Sequence, residues 1–262
     1  MCWNPTDGLV YAGGEGGEIY AVTLDGDVRE VGRTSGSMLG LGCDGRGCVY
    51  ACDEGAGTVV RLVPADGTIE VVLGGDDGAV LDTPNMLAFG PDGSLFVTCS
   101  GEGGDPAIVR RRPDGRVDRF SDAVRAYPNG CLVTPEGDAL LVVESDAQRV
   151  VRVPILPDGS AGSLAIVAEL PNTDPDGIAL DVEGAIWVTR YRPDGLARID
   201  PSGDVELVID DPLAHTFDAP TNLAFCGDDH SIAVVANVGD RSLSVGDLGV
   251  RGVAPHLPEP SW

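Results

Sequence analysis

The 262-residue chain contains no lysine; all 17 of its basic residues are arginine. That absence excludes a Schiff-base lysine, a P-loop lysine and the catalytic lysine of a kinase. Histidine is nearly absent too. His215, His230 and His256 stand apart with no HExxH spacing and read as surface or loop residues, His215 lying near a channel mouth because it precedes Pro220 by only five positions. The seven cysteines include no CxxC pair and their number is odd, which supports neither a zinc ribbon nor a disulfide framework. They read as buried small thiols in a reducing compartment, so the expected location is cytoplasmic. No apolar run approaches the ~18 residues of a membrane-spanning helix. No helical period is sustained, and no GxSxG elbow occurs.

Positive charge is scarce against 42 acidic residues, and the net charge is −25. Nucleic acid is thereby excluded as a partner, since its phosphates demand a basic surface, and anionic membranes are disfavoured. The charge reads as a solubility device; a local carboxylate cluster that attracts a divalent cation is the functional alternative. Gly40-Leu41-Gly42-Cys43-Asp44-Gly45 formally matches GxGxxG. A strand, Cys48–Ala51, follows it instead of a helix, so no helix N-terminus is available for a pyrophosphate.

Glycine (37) and proline (19) are abundant, and they fall at regular intervals between apolar runs. That spacing favours many tight turns over disorder. The stretch Thr83-Pro84-Asn85-Met86-Leu87-Ala88-Phe89-Gly90-Pro91-Asp92-Gly93 returns in variants that begin at Tyr127, Asp174 and Ala219, and more loosely at Ser35. In the strand after each turn, Tyr11, Tyr50, Phe96, Leu141, Trp187 and Val234 match, at spacings of 39, 46, 45, 46 and 47. A period of ~40–50 residues built from short strands is that of a β-propeller. Asp-Gly or Ser-Gly turns punctuate each period and suit tight hairpins, giving four strands per period. The expected fold is all-β: a six-bladed β-propeller with four-stranded antiparallel blades, forming one domain over residues 1–262. Residues 74–84 make a longer connection that is a candidate for shaping a pocket.

In a propeller the first strand of each blade lines the central channel. Counting back three residues from Gly40, Ala88, Leu132, Ala179 and Ala224 in the first strands gives Ser37, Asn85, Asn129, Asp176 and Thr221. Taken singly, each reads as a turn residue, most of them beside proline. Their shared register in successive blades argues instead for a ring of oxygen donors, as Ca²⁺ or Mg²⁺ requires. Asp176 is the only carboxylate among them, and so the candidate for charge compensation and for a base. The loops after the second strands carry Asp53-Glu54, Glu144-Ser145-Asp146 and Arg190-Tyr191, candidates for substrate contact.

The Pro-Asn entrances, Pro175-Asp176-Gly177, Pro220-Thr221-Asn222 and Gly249-Val250-Arg251-Gly252 together resemble the SMP-30/gluconolactonase family, over essentially the whole chain. The resemblance implies a hydrolase of lactones or related small esters with one catalytic divalent cation, Ca²⁺ foremost and Zn²⁺, Mg²⁺ or Mn²⁺ as alternatives. It implies Asn85, Asn129 and Asp176 as metal ligands, with Asp176 also the general base. Asn85, Glu102, Thr83, Tyr191 and Thr221 are the expected substrate contacts. Thr83 stands where an arginine is common in the family, which bears on recognition of a sugar acid. The family's glutamate ligand would fall two residues before Met1; Glu15 and Glu18 are the nearest acidic substitutes. That glutamate motivates an alternative reading, a non-hydrolytic propeller used as a binding or scaffold module or as a non-hydrolytic small-molecule enzyme. The expected partner is a small-molecule substrate, with the chain a monomer or weak homo-oligomer.

Overall fold

In the computed structural model, which describes residues 1–75 and 81–262, the apolar runs between the Asp-Gly turns become successive antiparallel strands. The described residues fall into two compact units, Met1–Pro128 with Pro255–Trp262, and Asn129–Ala254. In the first unit, one sheet runs β1 (Cys2–Asn4), β2 (Leu9–Gly13), β3 (Glu18–Val22), β4 (Val28–Arg33). The next runs β5 (Met38–Cys43), β6 (Val49–Asp53), β7 (Thr58–Val63), β8 (Thr68–Leu73), and the third β9 (Pro84–Phe89), β10 (Leu95–Cys99), β11 (Ala107–Arg111), β12 (Val117–Ser121).

From the boundary onward come β13 (Pro128–Val133), β14 (Ala139–Glu144), β15 (Arg149–Pro154) and β16 (Ala165–Glu169). Then come β17 (Asp174–Leu180), β18 (Ile186–Arg192), β19 (Gly195–Ile199) and β20 (Val205–Asp210). The last sheet is β21 (Pro220–Cys226), β22 (Ile232–Asn237), β23 (Ser242–Gly246). Every sheet is a meander in which sequence neighbours pair. Six such sheets, five of four strands and the last of three among the described residues, make the fold a six-bladed β-propeller. Of the connection at 74–84, residues 76–80 lie outside the described residues.

Within a blade, burial falls from the second strand to the fourth. All residues of β6, β10 and β14 are buried, whereas β20 is exposed at almost every position. A strand buried on both faces must be apolar throughout, and Leu140, Val142 and Val143 in β14 illustrate this.

The repeat markers found in the sequence have a physical role. Tyr11 donates its hydroxyl to Asp7 at 2.6 Å, Tyr50 to Asp44 at 3.1 Å, and Trp187 its indole N–H to Asp181 at 2.8 Å. The same carboxylates close the turn by accepting backbone N–H groups, from Arg46 and Cys48 at Asp44 and from Glu183 and Ala185 at Asp181. One turn aspartate thus fixes the hairpin and satisfies the polar tip of a buried aromatic, a group that is costly to bury unpaired.

Candidate functional site

The first strands are irregular at their entrances. In β9, Thr98 pairs with Met86 and Cys99 with Pro84, so Asn85 is the extra residue of a β-bulge. In β21, Pro220 pairs with Asn237 and Asn222 with Ala236, which makes Thr221 the extra residue. In β17, Asp176 and Gly177 together face the single residue between Val188 and Arg190. Bulges re-aim side chains, and here they re-aim the polar residues singled out by the repeat. Thr98 and Thr189 stabilise the break, their hydroxyl oxygens accepting the N–H groups of Met86 at 2.9 Å and Gly177 at 2.8 Å.

The register corrects one position. In β5, Met38 pairs with Asp53 and Leu41 with Ala51, so Leu39, not Ser37, is the second-blade counterpart of Asn85 and Asp176. Ser37 precedes the strand. The tandem of small residues at Gly36, Gly40 and Gly42 allowed more than one alignment, and only the hydrogen-bonded register decides among them.

Just beyond the bulges, neighbouring first strands come very close. A Cβ on Gly130 would lie 2.4 Å from the Asp176 carbonyl oxygen, and one on Gly177 would lie 2.7 Å from the Thr221 carbonyl oxygen. The glycines of the Pro-Asn-Gly and Pro-Asp-Gly motifs are there for this approach. Upstream, Thr83, Tyr127 and Ala219, each directly before a proline, have φ of 58°, 55° and 55°. Left-handed backbone is unfavourable for such residues, and its recurrence at three entrances marks a shape the fold imposes.

In the second unit, Asn129 and Asp176 meet. The Asn129 side chain is buried and its amide donates toward the Asp176 carboxylate. Asp176 is half-buried, and protein atoms crowd its carboxyl enough that desolvation pushes its pKa up to about 8, outweighing the effects that oppose it, hydrogen bonding from Asn129 among them. Among the described residues no arginine or histidine side chain forms an ion pair with it. Thr221 lies on the neighbouring first strand, its hydroxyl directed at the Ala236 carbonyl at 3.4 Å. Tyr191 is partly exposed at the end of β18, its ring stacked under the Arg192 guanidinium at 4.8 Å.

In the first unit, Asn85 donates to Ser100 Oγ at 2.9 Å. Thr83 and Glu102 are brought together, with the Glu102 N–H reaching Thr83 Oγ1 at 3.3 Å. Tyr127 joins them by donating its hydroxyl to Glu102 Oε1 at 3.2 Å. Tyr127 was not singled out in the sequence, although its place before Pro128 matches that of Thr83 before Pro84.

Other sequence candidates have structural partners. Arg190 is buried and runs over Gly195 to Asp210 at 3.1 Å. Glu144 is buried against Arg149 at 2.6 Å. Asp53 is buried and accepts the Ala56 N–H. Glu18 accepts the Gly16 N–H and pairs with Arg33 at 2.9 Å. Exposed His215 sits in a loop whose backbone is gathered by Asp211, which accepts N–H groups from His215, Thr216 and Phe217.

Among the described residues no group of three or more His, Cys, Asp or Glu side chains could hold a metal ion. The donors at the bulges are amide and hydroxyl oxygens with a single carboxylate. An all-oxygen set of this kind suits a hard cation such as Ca²⁺ or Mg²⁺, and the lack of imidazole and thiolate is unlike the usual zinc site.

Comparison with known proteins agrees with this architecture. Residues 1–238 match the model of the SMP-30/Gluconolactonase/LRE-like region. A virginiamycin B lyase of Nocardia farcinica is 28% identical over 182 residues, 61% of each chain. The pentonolactonase XacC of Haloferax volcanii is 28% identical over 196 residues, 69% of this chain and 64% of the relative. These alignments thus span less than two thirds of either relative. A solved gluconolactonase structure from Xanthomonas campestris superposes with a TM-score of 0.80 at 20% identity, covering 96% of this chain and 84% of that one; this likeness is one of fold. The match over most of the chain places the protein in the SMP-30/gluconolactonase/LRE-like family.

Proposed function

We propose that the protein is a lactonase-type hydrolase acting on a small lactone, with Asp176 as its base. The observation that carries this reading is the Asp176–Asn129 pair: a desolvated carboxyl at a bulge whose pKa is raised to about 8. Once deprotonated, a carboxylate at this position is suited to accept a proton from water. The family membership and the likeness to a pentonolactonase support a cyclic ester as substrate.

Asp176 and Asn129 are the proposed holders of a divalent cation, and Asn85 offers the same kind of amide oxygen at the matching position of the third blade. Ca²⁺ is favoured by the oxygen donors. When bound, such a cation supplies charge stabilisation to a developing oxyanion. The chain's own part is proton handling and orientation. Asp176 accepts the proton as water oxygen bonds to the lactone carbonyl carbon; the carbonyl re-forms, the ring C–O bond breaks, and the departing alkoxide takes the proton back from Asp176, which returns to its carboxylate form. Glu102, with Tyr127 and Thr83 beside it, offers hydrogen-bonding groups to substrate hydroxyls. Tyr191 and Thr221 are proposed as further contacts.

Purified protein, given CaCl₂ and a panel of aldono-1,4-lactones, should release acid in a pH-stat well above the uncatalysed rate. The Asp176→Ala variant should lose that rate by at least ~100-fold and lose calorimetric Ca²⁺ binding with it. An undiminished rate in Asp176→Ala would overturn the mechanism. Absence of binding to Ca²⁺, Mg²⁺, Zn²⁺ and Mn²⁺ at millimolar concentration would overturn the metal assignment.

A further inference from the structure

We infer that Ser100 and Ser145 are positioning residues that lock the side-chain amides of Asn85 and Asn129 in one orientation, each turning its carbonyl oxygen toward a bound ligand. The inference rests on the reading of the two asparagines as oxygen donors and adds the device that makes them so. Ser100 is not among the candidates read from the sequence, and Ser145 is named there only as a loop residue for substrate contact.

An asparagine amide has two ends of opposite character, and an unrestrained one can present either. Ser100 Oγ donates to the Pro128 carbonyl at 2.9 Å, and Ser145 Oγ to the Pro175 carbonyl at 2.6 Å. A carbonyl oxygen can only accept, so each hydroxyl proton is committed to it. Each serine oxygen is therefore left as an acceptor and takes an N–H from the asparagine amide: Asn85 Nδ2 at 2.9 Å and Asn129 Nδ2 at 3.2 Å. The relay fixes the flip by hydrogen-bond logic rather than by crowding, and at Asn129 the Asp176 carboxylate, which also accepts from the amide, favours the same orientation. With Nδ2 held at the serine, Oδ1 lies on the other side of Cγ.

The two relays are copies in different blades. The serines follow their asparagines by 15 and 16 positions. Each stands just beyond the second strand of its blade, and each relay ends on a proline carbonyl directly before a polar residue of the repeat, Asn129 or Asp176. One such contact could be incidental packing. The same three-member relay twice, each time on an asparagine at a first-strand entrance, points to selection for amide orientation. The arrangement also stiffens the donors before any ligand arrives, which lowers the ordering cost of binding.

The test uses the full chain and CaCl₂ as probe. Ser145→Ala and Ser100→Ala should each weaken calorimetric Ca²⁺ affinity by ~10–100-fold, the usual range for residues that orient ligands. The melting temperature of the calcium-free protein should barely change. Ser145→Thr, which keeps the hydroxyl, should restore affinity to within about threefold, the tolerance expected when the orienting bond is kept. Unchanged affinity in both alanine variants would overturn the inference. If the parent protein binds no Ca²⁺, the cation reading fails by itself, and side-chain amide hydrogen exchange by NMR then decides the relay. Protected Asn85 and Asn129 amide protons that lose protection in the alanine variants support it; unaltered exchange overturns it.

Discussion

At the scale of single residues, Asp176 is a group the folded chain holds at a cost. Its pKa in the folded state, about 8, lies above the value near 4 of a solvated aspartate. Between those two values the folded, metal-free protein keeps a proton that the unfolded chain has released. Stability therefore falls as pH rises through that window, by at most about 1.4 kcal/mol per pH unit, and levels off above pH 8. Asp176→Asn removes the titration. In the presence of a chelator, the variant should match the parent near pH 4 and exceed it increasingly up to pH 8 in thermal melts. A constant offset between the two proteins across that range would show that Asp176 titrates normally. The cost is intelligible if the site is arranged for a ligand: hydrogen bonding from Asn129 does not offset the desolvation of the carboxylate.

At the scale of elements, the site depends on how closely the first strands approach. Gly130 lies against the strand that carries Asp176, and a methyl group there would meet the Asp176 carbonyl oxygen at 2.4 Å and the Gly177 Cα at 2.9 Å. Backbone cannot yield as a flexible side chain does, so β17 must shift away from β13. Gly130→Ala should cost ~1–3 kcal/mol, the usual price of overpacking, and should also weaken Ca²⁺ binding, because Asp176 moves with its strand. Gly26→Ala, where a Cβ meets nothing within 4 Å but φ is 95°, is the control for strain without close approach. It should destabilise without altering affinity. Equal affinity in Gly130→Ala and the parent, measured by calorimetry, would show that the approach is structural only.

This scale also separates what the sequence disclosed from what it did not. The blade period was legible because Tyr11, Tyr50 and Trp187 are large, buried and tied to turn aspartates, so their type and spacing are constrained together. Asn85, Asp176 and Thr221 were legible as a set because proline marks each entrance. The bulges were not, since an extra residue in a ladder changes pairing without changing composition. Ser37 stands in for Leu39 in the sequence reading because Gly40 and Gly42 are equally small, and only the register shows that Gly42 matches Ala88. Ser100 and the Tyr127–Glu102 contact stayed hidden because each joins residues from separate strands or loops, and no local pattern records such a meeting. Arg190, Glu144 and Asp53 read as candidates for substrate contact because polarity after a strand usually means exposure. Here each side chain is buried against a partner within its own blade.

At the scale of the whole molecule, the net charge of −25 produces a field that must be separated from any specific site. A chain so acidic repels itself when folded, and counter-ions relieve that repulsion without occupying a defined position. Raising NaCl from ~10 mM to ~300 mM shortens the Debye length from ~30 Å to ~6 Å, so the melting temperature of the metal-free protein should rise with salt and then level off. Divalent cations would give the same rise at low ionic strength merely by screening, in the parent and in Asp176→Asn alike. The two effects part at high salt. At ~300 mM NaCl, with Ca²⁺ at ~100 times its dissociation constant, site binding should still stabilise the parent by about 2.7 kcal/mol, whereas Asp176→Asn should gain almost nothing. A calcium-induced shift that disappears from the parent at high salt would assign the cation to the diffuse acidic surface and leave the bulged first strands without a metal to hold.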